Sequence, residues 1–279
     1  MIERVGIVGA GIMGKRIAFA CLSRGVATRL YDISPEASLA AASDLRQLLQ
    51  ERVKDLTVVT SLDSCVRDVD LVIETVPESV ELKRKVFAEI DRHAGSRTLI
   101  GTNTSSIPGS RLADATRRPA LVFNCNWGHI DHPKVELMPH PGTAPATMDA
   151  AEQFIRALGL VPIRDRKEIL GYGSNRIWRA VKKEVLRVIA EGVLDAKDVD
   201  RAWMLDWHVP LGPCALMDRI GLDVVRDIEL VYYESTGDPS DRPPQFLEEM
   251  IAAGKLGEKT GEGFYTYPNP AYEQEGFLQ

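Results

Sequence analysis

Arg4-Val5-Gly6-Ile7-Val8-Gly9-Ala10-Gly11-Ile12-Met13-Gly14 is the stretch on which the fold turns. A short apolar run, Arg4 to Val8, leads straight into Gly9-Ala10-Gly11-Ile12-Met13-Gly14, and IAFACLSRG then has helical spacing. Next comes VATRLYD, a run of β-formers that ends in Asp32, 18 residues after Gly14. A GxGxxG alone is a weak signal, because glycines are common in turns. Between a strand and a helix, with an acid ending the next strand, it is the dinucleotide fingerprint. Gly9 permits the tight turn, Gly11 lets a pyrophosphate approach backbone N–H groups, and Gly14 lets the helix pack closely on the sheet. Ile12 and Met13 complete the turn at a helix N-terminus that favours diphosphate charge. Asp32 can accept both ribose hydroxyls and would repel a 2′-phosphate, so the expected cofactor is NAD.

Strands and helices alternate outward from this core. Ser34-Pro35 starts a helix running to about Lys54; LTVVT and DLVIETV read as strands, ELKRKVFAEIDRHA as an amphipathic helix, and TLIGTNTSS as a strand entering a polar loop. ALVFN, KVELM and LVPIRD are further strands around the helix ATMDAAEQFIRALG. From Gly171 the strand signal nearly vanishes. The expected fold is α/β: an N-terminal Rossmann-type doubly wound sheet with an antiparallel extension (residues 1–168), then an all-helical domain for substrate and dimerisation (169–279).

The 279 residues are 44% hydrophobic and 27% charged, ordinary for a globular protein. A net charge of −6 without a basic stripe argues against nucleic-acid binding. No apolar run is long enough to span a bilayer. Cys21, Cys65, Cys125 and Cys214 form no CxxC pair, and no metal site is expected. The chain starts almost at once with a strand, leaving no room for a signal peptide, so a cytoplasmic location is the expectation. Two polar groups fall at strand ends where such sheets bind ligands: Val76-Pro77-Glu78 with Lys83, and Thr102-Asn103-Thr104-Ser105-Ser106. The latter can also be read as a loop capping a helix; Asn103 is expected to line the cofactor site.

VGIVGAGIMG, YDIS, ETVPESVELKRKVFAEID, GTNTSSI, VELMPHPGTAPAT, GYGSNRI and GKLGEKTGEGFYTYP, in this order, resemble the 3-hydroxyacyl-CoA dehydrogenase family, with its gulonate dehydrogenase/lambda-crystallin and carnitine dehydrogenase relatives. The resemblance implies that Glu78 and Lys83 line the cofactor site, that Ser105 and Asn175 face the reacting bond, and that the helical domain makes a homodimer. It also implies a catalytic histidine 12 residues before the glutamate of VEL. That glutamate is Glu136, and counting back lands on Asn124. An amide cannot act as a general base. Three readings stand. His129 or His132, in the loop GHIDHP beside Asp131, has taken over the proton, or both are plain loop histidines. The substrate carries nitrogen, so that Glu136 stabilises an iminium while Asn124 holds the substrate. Or the chain is a catalytically silent NAD-binding dimer.

A second departure concerns size. Only 41 residues separate Asp32 from Glu74, where the acyl-CoA members carry a helical hairpin that contacts CoA. The expected substrate is a small polar hydroxy or keto compound, not a CoA thioester. Trp203, Trp207 and Trp127 read as core or, if turned to the cleft, as an aromatic grip on a cation.

Overall fold

The computed structural model describes residues 2–128 and 133–279, with the side chains of residues 51 and 52 excepted. His129, Asp131 and His132 therefore lie outside the described residues. The chain divides into two compact units, residues 1–173 and 174–279, five residues beyond the point at which the composition changes.

The first unit is built on one sheet of eight strands: β1 (Arg4–Val8), β2 (Ala27–Tyr31), β3 (Leu56–Val58), β4 (Leu71–Glu74), β5 (Leu99–Thr102), β6 (Val122–Trp127), β7 (Lys134–Pro139) and β8 (Val161–Arg164). Their order is β3-β2-β1-β4-β5-β6-β7-β8. The first six run parallel; β7 is antiparallel to β6, and β8 parallel to β7. Helices α1 (Ile12–Ser23), α2 (Pro35–Leu49) and α6 (Pro145–Ala157) bury Ile17, Leu22, Leu45, Met148 and Phe154 against one face. Helices α3 (Leu62–Val66), α4 (Val80–His93) and α5 (Ser110–Ala113) cover the other with Val66, Phe87, Ile90 and Leu112. The doubly wound sheet with its antiparallel extension is as the sequence predicts. At the start of α2, Ser34 caps through its hydroxyl, with Pro35 in the first turn. The helix ends at Leu49, and a 3-10 turn (Gln50–Asp55) completes the segment expected to be helical. Only α2, this turn, β3 and α3 lie between Asp32 and the start of β4; there is no helical hairpin in this segment.

The second unit consists of α7 (Gly173–Ala190, whose first residue belongs to the first unit), α8 (Ala196–Trp207), α9 (Pro213–Ile220), α10 (Leu222–Thr236) and α11 (Gln245–Ala252). The sequence LMDRIGLDVVRDIELVYYES reads as one helix, but the structure breaks it at Gly221, whose φ of 101 is a left-side value that favours glycine. Two buried aspartates organise the unit. Asp200 accepts from the backbone of Cys214 and Ala215, capping α9 from outside, and from the Tyr265 hydroxyl. Asp218 accepts from the backbone of Phe264 and Tyr265 and from the Tyr267 hydroxyl, which ties down the GEGFYTYP motif. Trp207 is exposed and leans on Trp203, whereas Trp127 is buried in the first unit's core.

All four cysteines are free and buried. Burial pushes the thiols of Cys21, Cys65 and Cys125 up to about 12, so they are poor nucleophiles at neutral pH.

Candidate active site

The glycine turn has three separate steric reasons for its composition. Gly9 has a φ of +110, and a side chain there would collide with Thr75. At Gly14 a Cβ would sit 1.9 Å from the Gly9 carbonyl oxygen, so α1 can start this close to β1 only with glycine. A Cβ on Gly11 meets nothing within 4 Å: space is open over the N-terminus of α1, where a pyrophosphate has to approach backbone. Asp32 accepts from the Ala10 N–H at 2.8 Å and the Ser34 N–H at 2.9 Å, which fixes its carboxylate beside the turn. Ile12 is 83% exposed at the mouth, while Met13 packs against the core. These residues fit a dinucleotide.

The two polar strand ends, separate in sequence, meet in space. Glu74, at the end of β4, is fully buried and bonded to Lys83 Nζ (2.8 Å), Thr102 Oγ1 (2.7 Å) and the Val76 N–H (2.6 Å). Burial raises the Glu74 carboxyl above its ordinary range, against the opposing pull of Lys83. Lys83 is buried as well, and its ammonium also reaches the Val76 carbonyl and Glu78. It therefore lies beneath the Val76–Glu78 loop and ties that loop to the end of β4. Glu78 accepts from the hydroxyls of Thr104 and Ser106 and from the Ser106 N–H. Although partial burial works the other way, these bonds and Lys83 hold its carboxyl below the usual range. Asn103 accepts from the Trp127 N–H at 3.0 Å, tying the end of β5 to the end of β6, and Ser105 stands exposed at the loop's tip. Replacing Lys83 with Met strands a buried carboxylate, and a loss of about 3–5 kcal/mol is expected in urea unfolding; the added Glu74→Gln change should recover part of it.

Counting along the chain and counting across the sheet disagree about Glu136. Glu74, Thr102, Asn124 and Met138 are register partners in successive strands, so they share one face. Asn124 is buried there, its amide donating to the Ile107 carbonyl at 2.9 Å. No Cβ could stand on Gly109, because Asn124 Oδ1 would lie 2.4 Å from it. Asn124 thus lies beneath the Ile107–Gly109 loop, held by its amide N–H, while its Oδ1 is buried without a hydrogen-bond partner among the described residues. The residue opposite Glu136 is Asn126, two positions on, on the same face and partly exposed. The signal that finds it is register, which depends on the length of the hairpin and is not visible in a residue count.

Glu136 is fully buried, with Lys134 Nζ 3.3 Å from its carboxylate. The segment after β8 crosses its face: Tyr172 donates to the Thr104 carbonyl (2.8 Å), Glu168 accepts from the Ser110 N–H, and Gly173 follows. Asn175 lies in the second unit, half-buried on α7. Among the described residues no group of three or more histidine, cysteine or acidic side chains is placed to hold a metal, and no helix is long and apolar enough to cross a membrane.

Two family models match nearly the whole chain: 3-hydroxyacyl-CoA dehydrogenase, NAD binding domain, over residues 4–169, and the corresponding C-terminal domain over 171–267. The chain belongs to the 3-hydroxyacyl-CoA dehydrogenase family. Similar proteins include a 5-formyl-3-hydroxy-2-methylpyridine 4-carboxylate 5-dehydrogenase of Mesorhizobium japonicum, 30% identical over 96% of this chain and 91% of that one. A 3-hydroxybutyryl-CoA dehydrogenase of Bradyrhizobium diazoefficiens is 33% identical over 96% of each chain. Among solved structures, an (S)-3-hydroxybutyryl-CoA dehydrogenase from Ralstonia eutropha superposes with a TM-score of 0.89, 33% identity, and coverage of 96% and 100%. This member of the 3-hydroxyacyl-CoA dehydrogenase family is an NAD-dependent oxidoreductase.

Proposed function

We propose that this dehydrogenase moves hydride between NAD and a small, free hydroxy or keto compound, and not a CoA thioester. The observation that carries this is the short connection from β2 to β4, which has no helical hairpin to grip CoA. The pyridine carboxylate named in the Mesorhizobium relative is a substrate without CoA, which supports the same reading. NAD, when bound, supplies the hydride acceptor. The turn at Gly9–Gly14, with Ile12 and Met13, takes the pyrophosphate, and Asp32 the ribose. Glu78, Asn103 and, through the loop it anchors, Lys83 shape the nicotinamide end. Ser105 holds the reacting oxygen, and Glu136 supplies the negative charge that orients and stabilises the group taking the proton. Comparing NADH oxidation with acetoacetate and with acetoacetyl-CoA tests the proposal; a higher kcat/KM for the free acid is expected, and a preference for the thioester would sink it.

A second reading has its own observation. Asn126, opposite Glu136, is an amide that cannot titrate. Reduction of an iminium would need charge stabilisation at Glu136 more than a base. Turnover of ketones only when ammonia or methylamine is present would favour this reading over the alcohol dehydrogenase.

The assembly we propose is a homodimer formed through the helical unit. Ile177, Trp207, Val224 and Val231 leave apolar surface exposed there, and light scattering on the purified chain checks it. Four free buried thiols suit a cytoplasmic enzyme.

A further inference from the structure

We propose that Asp165 is a positioning residue for Glu136, holding the chain over the glutamate and keeping a second negative charge behind it. This rests on the reading of Glu136 as the reactive carboxylate. Ile163 of β8 pairs with Glu136, and Asp165, two residues on, belongs to the same face; its own N–H continues the ladder to the Leu137 carbonyl at 2.8 Å. Its carboxylate turns toward Gly173, whose N–H it accepts at 3.3 Å. A Cβ on Gly173 would lie 2.6 Å from Asp165 Oδ1 and 3.5 Å from Glu136 Oε1. The two carboxylates therefore flank one point on the chain, and that point is a residue with no side chain to separate them.

The charged groups facing Asp165 from β7 are Glu136 and Lys134. On its own strand Arg164 turns away to Asp149, while Arg166 and Lys167 are exposed. Partial burial, with the charge of Glu136 added, raises the Asp165 carboxyl above the ordinary aspartate range, against the Gly173 bond and Lys134.

The test uses the intact protein and four variants: Asp165→Asn, Asp165→Ala, Asp165→Glu and Glu136→Gln. Asp165→Asn keeps the acceptor for Gly173 and removes only the charge. With NADH and the better of acetoacetate and acetoacetyl-CoA, a fall in kcat of about 10-fold is expected, the scale for a group that orients a reactive one. KM for NADH and the unfolding midpoint should be unchanged, so that the loss falls on kcat alone. Asp165→Ala should lose more activity, and Asp165→Glu should regain part of it. Carboxyl carbon-13 titration needs no substrate: Asp165 should titrate at lower pH in Glu136→Gln than in the wild type. Wild-type kcat in Asp165→Asn, or an Asp165 titration unmoved in Glu136→Gln, with Glu136→Gln inactive, would overturn this inference alone. Full activity in Glu136→Gln would remove the reading on which it rests.

Discussion

Glu136→Gln is expected to lower kcat about 10²–10⁴-fold while leaving NADH affinity and the fold intact, the range lost with a positioned acid–base or charge-stabilising group. The change is nearly isosteric, and the neighbours of Glu136 include Asn126 across the hairpin, Lys134 at 3.3 Å, and the Gly173 backbone above it. A buried carboxylate next to a lysine resembles a structural ion pair, and a purely structural role would appear as lost stability with little change in kcat. Steady-state rates and urea unfolding on the same samples separate the two. A silent NAD-binding protein is a third outcome, in which the wild type binds NADH by fluorescence and turns over neither acetoacetate nor acetoacetyl-CoA.

The second large effect concerns the glycine turn and takes the form of a contrast. In Gly14→Ala the new Cβ falls 1.9 Å from the Gly9 carbonyl oxygen, so α1 must move off the sheet. Overpacking of this kind costs about 1–3 kcal/mol in stability, and NADH affinity should fall with it. In Gly11→Ala the Cβ enters open space, so the unfolding midpoint should hold. That space is the one the pyrophosphate approaches, so a methyl costing 1–3 kcal/mol there weakens NADH about 5–150-fold. Fluorescence titration and thermal unfolding together read the pattern: Gly14→Ala loses both quantities, Gly11→Ala only the cofactor. Equal affinity in Gly11→Ala and the wild type would move the dinucleotide away from the turn.

The parts of this protein that were legible in the sequence are those whose cause is local. Short apolar or β-forming runs bounded by turn residues mark β1, β2, β4 and β5, and the steric demands of Gly9 and Gly14 are written in their identity. Helix α3, with five residues, is too short to show a period. The site was harder to read where its geometry comes from strand pairing. Asn124 and Asn126 have the same chemistry and the same parity, and only the register of β6 with β7 decides which faces Glu136. Glu74 looks like a polar residue closing a strand, yet it is buried with Lys83 as its counter-ion, nine positions on in the chain. Asp165 reads as the end of β8 and gains its meaning from Gly173, which the chain returns over the sheet.

The most direct measurement is a crystal structure with NAD and a bound product, read for the side chains within about 3.2 Å of a ligand heteroatom beside nicotinamide C4. The pyrophosphate should lie on the backbone at Gly11 and the adenosine ribose on Asp32, with the amide of Asn126 and the hydroxyl of Ser105 within that distance of the ligand. A complex in which Asn124 takes that place, or in which the nicotinamide lies away from Asn126 and Glu136, would contradict the account.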